Sequence, residues 1–143
     1  MNIRPMTMND ADAMLRFKNY EETRRFAIAS HDEIKKEDHL KWLEQNLQYF
    51  QVFEETYGSY DQNIPVVIGA IRIQDGEVSI WVDNLHWKQG RATFILQHHT
   101  RRGMTCKIVE GNVGSMRAFI RAGFEPVHYV NASTCNYYIY KKW

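Results

Sequence analysis

The chain has 143 residues, of which 44% are hydrophobic and 24% charged, a balance that fits one globular domain over residues 1–143. A formal net charge of +1 leaves no electrostatic footprint for nucleic acid or an acidic membrane surface. No apolar run reaches membrane-spanning length.

Residues 2–6 read as a short strand. Asn9 or Asp10 can cap a helix through Met14, Leu15 and Phe17, and a second helical piece covers 21–26. Residues 36–48 are the clearest helix, with Leu40, Leu43 and Leu47 on one stripe. A strand-like piece at 50–55 leads into a loop, most polar over 56–63, that ends at Pro65. Residues 66–73 are a strand, Asp75-Gly76 signals a hairpin turn, and 77–82 returns as the partner. After HWKQGRA a helix spans 93–102 and closes at Gly103. Residues 104–109 are a strand, and a helix then opens at Asn112 and stops at Gly123. Strands follow at 124–130 and 136–140, with NAST as their turn. The class is therefore α/β of the mixed (α+β) kind, with short antiparallel connections in the middle. The two late strand–helix–strand units need crossovers, which allows parallel neighbours there. The N-terminus, MNIRPMTMNDADAM, lacks the basic-then-apolar layout of a signal peptide. Cys106 and Cys135 have no metal-ligand spacing. They fit a reduced cytoplasmic protein, and one disulfide between them stays open. Adjacent His98 and His99 do not share a helix face and do not suggest a metal.

Two segments carry chemistry. The first is IWVDNLHWKQGRATFIL, residues 80–96, a strand, a turn with one Gly, and a helix. A helix start presents unpaired N–H groups and partial positive charge, which together bind phosphate. Gly90 lets a phosphate approach the backbone and Ala92 keeps the first turn uncluttered. Lys88 and Arg91 add charge at the rim. The second segment is IVEGNVGSMRAFIRAGFEPV, residues 108–127. Asn112 and Ser115 stand at the head of its helix, Phe119 lies within it, and Gly123-Phe124 ends it.

This pair of segments resembles the GNAT superfamily of acyl-CoA-dependent N-acetyltransferases. The resemblance lies in Ile108, Asn112, Ser115, Phe119, Gly123 and Phe124, in the turn at Gly90 and Ala92, and in element order from Ile3-Arg4-Pro5 onward. It implies the GNAT fold, a mixed, largely antiparallel sheet of about seven strands flanked by helices. It also implies acetyl-CoA as co-substrate, with no metal. The cofactor would lie along Ile80, Trp81, Val82, Lys88, Gln89, Gly90, Arg91, Ala92, Asn112, Ser115 and Phe119. A neutral amine would attack the thioester directly, with a backbone N–H within 80–83 meeting the oxyanion. Asp83, Glu110 and His39 are the candidate bases.

Three features depart from the family pattern. Trp87 stands where Gln or Arg usually opens the turn, the helix after Gly90 looks a turn short, and Phe119 replaces a Tyr that protonates the leaving thiolate. A thiol of pKa about 8.5 gives a fair leaving group without that acid. Ser115, Tyr129, Tyr138 or water could take the role.

The helix residues Glu37, His39, Trp42 and Leu43 resemble the E-x-H-x-x-W-L pattern of branches acting on amino-sugar nucleotides, ribosomal proteins and polyamines. His39 and Trp42 would face an acceptor, with Tyr20 and Phe26 lining the pocket and Arg24 or Arg25 meeting a phosphate or carboxylate. A lysine amine is neutral in only about one molecule in 10³ at pH 7, a deficit of roughly 4–5 kcal/mol, against about 1–1.5 for an α-amine. The absence of an obvious strong base favours a small-molecule amine of low pKa, such as an amino-sugar nucleotide. A protein N-terminus or lysine is the alternative acceptor. A degenerate GNAT domain serving as a binding or structural module is the other reading. A homodimer stays open.

Overall fold

Asp75 and Gly76 both take positive φ, +51° and +77°, the conformation a tight two-residue hairpin requires. They join β3 (Ile64–Gln74) to β4 (Glu77–Val82). The computed structural model describes residues 1–58 and 64–143. Before this hairpin come β1 (Asn2–Pro5), α1 (Ala11–Asn19), α2 (Glu21–Arg25), α3 (Lys36–Asn46) and β2 (Phe50–Tyr57). After it come α4 (Arg91–His99), β5 (Thr105–Val109), α5 (Val113–Arg121), β6 (Phe124–Asn131) and β7 (Asn136–Lys142). The seven strands form one sheet in the order β1-β2-β3-β4-β5-β7-β6. Every neighbouring pair is antiparallel except β4 and β5.

Alternation along the strands divides the core between the two faces. One face carries Phe53, Ile71, Val78, Ile108 and Phe124, packed on Ile95 and Leu96 of α4 and Phe119 of α5. The other carries Phe50, Val52 and Ala70, packed on Met14 and Phe17 of α1 and Leu43 of α3. Gly69 sits under the Phe53 ring. A Cβ there would come within 2.2 Å of that ring and 2.4 Å of the Trp81 carbonyl oxygen.

The elements match the sequence reading with local differences. Asp10 does not cap a helix directly. Its carboxylate turns back to the Thr7 N–H (2.9 Å) and to the Arg4 guanidinium (2.9 Å), closing a 3-10 turn ahead of α1. α3 ends at Asn46 and a 3-10 turn replaces its expected last residues. α4 runs from Arg91 to His99, not from 93 to 102, because left-handed Gly90 lets the helix start at once. Its end comes at Thr100, whose hydroxyl donates to the Leu96 carbonyl. Of the loop expected over 56–63, Thr56 and Tyr57 continue β2. Residues 59–63 lie outside the described residues. Both cysteines are free, Cys106 buried in the core and Cys135 half-buried in the last turn, so no disulfide links them.

Candidate active site

The parallel pair β4 and β5 is joined at a single register point, Glu77 opposite Thr105. Beyond it the two strands part, and Ile80–Val82 and Ile108–Val109 lie on either side of a gap. The chain leaves both strands into helices, so the starts of α4 and α5 stand at the open end. In an open mixed sheet, ligands are expected at the carboxyl ends of parallel strands.

The end of β4 is held with unusual care. Phe53 pairs with Gly69 but Glu54 pairs with Val67, so Ile68 is an extra, bulged residue. Its carbonyl accepts the Asp83 N–H at 2.7 Å. Because successive backbone groups of a strand point to opposite sides, those of Val82 turn away from β3 toward the gap. The Val82 carbonyl accepts the Trp87 indole N–H at 2.7 Å. The Asp83 carboxylate, 7% exposed, accepts the Tyr20 hydroxyl at 2.9 Å, Arg16 Nη2 at 3.0 Å and the Leu85 N–H at 3.3 Å. Burial pushes its pKa up, but these donors outweigh burial and hold it below the usual range. The Tyr20 ring meets Trp87 edge-on at 5.9 Å. α1 is thereby tied to the last residues of β4.

The turn after β4 contains two left-handed residues, Lys88 (φ +63°) and Gly90 (φ +77°). A Cβ on Gly90 would meet nothing within 4 Å, so the surface over the start of α4 is open. The first intrahelical bond of α4 runs from Phe94 N–H to the Gly90 carbonyl. The N–H groups of Arg91, Ala92 and Thr93 precede it and have no intrahelical acceptor. Arg91 is engaged elsewhere, with Nε on Glu55 of β2 at 2.9 Å and Nη1 on Gln89.

On the other side of the gap, Asn112 caps α5 by accepting the Ser115 N–H and donating to the Ser115 hydroxyl at 3.1 Å. Glu110 is exposed at the end of β5, with Tyr129 donating to it at 3.3 Å. Glu110, Asn112, Met116 and Tyr138 border a depression of about 90 Å³ beside α5.

An acetyltransferase (GNAT) domain model matches residues 1–125. The chain belongs to the GNAT family. Among curated proteins none matches this acetyltransferase by sequence. Solved structures do match it in fold. A ribosomal-protein-alanine N-acetyltransferase from Brucella melitensis is 19% identical, with a TM-score of 0.74 over 99% of each chain. A Salmonella typhimurium protein classed as an acetyltransferase and solved with its cofactor acetyl-CoA is 20% identical. Its TM-score is 0.73, over 98% of this chain and 91% of that one. A Vibrio cholerae spermidine N-acetyltransferase chimera is 10% identical, with a TM-score of 0.74 over 99% and 93%.

This GNAT enzyme uses acetyl-CoA as co-substrate, and its residues fit that molecule. The open backbone at Gly90 and the uncapped N–H groups at the start of α4 are donors of the kind a diphosphate needs. Among the described residues no group of three His, Cys, Asp or Glu side chains could hold a metal ion. No helix there is long and apolar enough to cross a membrane.

The expected cofactor residues fall on different sides of the acetyltransferase. Ile80 and Val82 line the gap from the α4 face, whereas the Trp81 side chain lies on the α1 face. Lys88 and Gln89 are exposed in the turn. Phe119 is 4% exposed and packs edge-on against Phe124 at 5.0 Å, as a core residue would.

The three candidate bases also separate. Asp83 is committed to Arg16 and Tyr20. His39, 2% exposed, is wedged between α3 and α1, its Nε2 donating to the Ala11 carbonyl at 3.0 Å. Ala11 begins α1 and Tyr20 follows its end, so roughly 13 Å of helix separates His39 from Asp83. Glu110 alone is both exposed and at the mouth of the gap.

On the acceptor side, Tyr20 is bound to Asp83, and Arg24 is bound to the Asn19 and His31 carbonyls, holding the turn around α2. Trp42 stays 36% exposed against Phe50. Sequence reading missed Arg16 as the partner of Asp83. The signal was the i, i+4 spacing of Arg16, in the last turns of α1, and Tyr20, its C-cap.

Proposed function

We propose that this GNAT enzyme acetylates the primary amine of a small molecule, such as an amino-sugar nucleotide, by direct attack in the β4–β5 gap. The observation that carries this is the single pairing of Glu77 with Thr105, beyond which the strands part beside two helix starts. Acetyl-CoA supplies an activated thioester. The N–H groups at the start of α4 hold its diphosphate. The Val82 N–H is the oxyanion donor, and its aim is fixed by Trp87 on the Val82 carbonyl and by Asp83 N–H on the bulged Ile68 carbonyl.

Glu110 receives the amine's proton, directly or through water. Asp83 and His39 act as positioning residues, because one is a hydrogen-bonded anion and the other faces α1. Phe119 donates no proton, and a leaving group of pKa about 8.5 departs without one. The Brucella melitensis and Vibrio cholerae neighbours are named for a ribosomal-protein alanine and for spermidine. A primary amine is what those acceptors share. The two free thiols suit a reducing, cytoplasmic compartment.

The test is free-thiol release from acetyl-CoA against a panel of primary amines across pH, for wild type and Glu110→Gln. Turnover with amines of pKa near 8, cut about 10²-fold or more in Glu110→Gln with acetyl-CoA affinity kept, supports the reading. Equal turnover in the variant at every pH removes Glu110 from the mechanism.

A further inference from the structure

The α1 side of the sheet holds two cations with no acidic partner among the described residues. Lys18 projects from α1 into a cage of aromatic rings. Its Nζ lies 3.7 Å from the Trp42 ring centroid, 5.5 Å from Trp81 and 5.9 Å from Phe50. Arg72 of β3 lies beside it, with Cζ 5.9 Å from the same Trp42 centroid. Among the described residues, neither cation has a carboxylate within 4.0 Å, and Lys18 donates no hydrogen bond. Arg72 donates from Nη2 to Gln74, but its Nε is buried and unpartnered.

Such an arrangement is costly as a purely internal one. Burial brings the Lys18 amine down to about 8, and repulsion from Arg72 adds to the effect. Ring faces favour the charged form but leave the three N–H donors unused. Asp75 and Glu77 border, together with Arg72, an open depression of about 330 Å³ on the hairpin side, but neither pairs with Arg72, and Glu77 is paired with Lys107 at 3.6 Å. Trp81 immediately precedes Val82, so the cage stands next to the gap. Trp42 is its exposed wall.

We propose that Lys18 and Arg72 form an oxyanion subsite, walled by Trp42 and Trp81, that holds a phosphate or carboxylate group of the acceptor while its amine reaches the gap. This rests on the small-molecule reading above and adds that the acceptor is itself anionic. Lys18 Nζ and the half-buried Arg72 guanidinium supply the charge-assisted donors. The flat exposed face of Trp42 offers a surface for the rest of the molecule.

The test follows the four tryptophan indole N–H signals by ¹H–¹⁵N NMR during titration with inorganic phosphate at constant ionic strength. A parallel titration uses acetate. The expected result is a saturable shift of Trp42 and Trp81, weakened at least tenfold in Lys18→Met and in Arg72→Met, both of which keep the cage filled. A shift with either anion supports the subsite, and the tighter of the two names the acceptor's group. Trp87 reports the cofactor turn separately, so phosphate bound over α4 is told apart. Unmoved Trp42 and Trp81 signals, or equal shifts in the variants, would overturn the subsite. Acetyl-CoA binding measured on the same samples shows independently whether the acyltransferase reading stands.

Discussion

Asp83 looks like a free catalytic carboxylate in sequence and is held by three donors in the fold. In sequence it is a carboxylate next to the strand expected to supply the oxyanion donor. In the fold both its oxygens are taken, one by Arg16 and the other by Tyr20 and the Leu85 N–H. Tyr20→Phe removes one donor from a buried carboxylate, and about 1–2 kcal/mol of stability should be lost. Chemical denaturation measures that. The mechanism further expects kcat to fall while acetyl-CoA affinity holds, since only the end of β4 is loosened.

His39 gives a pH signature. Burial lowers its pKa, so the folded state favours the neutral ring. The resulting stability is present above the unfolded value near 6.5 and is lost as pH falls through the folded value. The melting temperature should therefore decline as pH drops below about 6.5. His39→Gln, which can still donate to the Ala11 carbonyl, should flatten that decline. Gly69→Ala is the harshest small change. Its methyl would collide with the Phe53 ring and the Trp81 carbonyl, costing about 1–3 kcal/mol or more.

At the scale of elements, helix starts stand at both sides of the gap. α5 is held by the reciprocal pair Asn112 and Ser115. Asn112→Ala should cost about 1 kcal/mol, read by thermal unfolding, and lower turnover through a frayed first turn. α4 has no side-chain cap, because left-handed Gly90 leaves its N–H groups uncovered. That exposure was legible in the sequence, since a lone Gly before an apolar helix is what a phosphate cradle needs. The helix at Asn112 and the hairpin at Asp75-Gly76 were legible for the same reason, as their turn chemistry is local. Trp87 was not. Its indole replaces a polar side chain by bonding the Val82 carbonyl and bracing Tyr20. No periodicity reveals a contact that depends on how α1 crosses the sheet. Arg91 was read as charge at the rim of the turn, and its span to Glu55 on β2 was not legible, because that pairing is set by a distant strand.

For the whole molecule, the sheet is built to be pried open at one place. Antiparallel ladders on both sides are continuous, and the parallel junction between them is a single pair at the closed end. The hydrophobic cluster under α4 and α5 spans both halves of the sheet, whereas the one under α1 and α3 covers only the strands before the junction. The strand–helix–strand pattern allowed parallel neighbours at this junction but did not set its length. Which strands pair, and for how long, is decided by tertiary packing and not by alternation alone. The extent of the gap therefore became visible only with the fold, while its two lips had been readable as motifs.

The measurement that tests the central claim is calorimetric titration of acetyl-CoA into wild type and Gly90→Glu. The substitution puts a carboxylate in the open space over α4, at a strain of about 1–2 kcal/mol for a left-handed non-glycine residue, so the variant should remain folded. Binding to wild type should be saturable, and weakened at least about 100-fold in folded Gly90→Glu. Equal affinity in the two proteins would contradict it, and would place the cofactor away from the gap between β4 and β5.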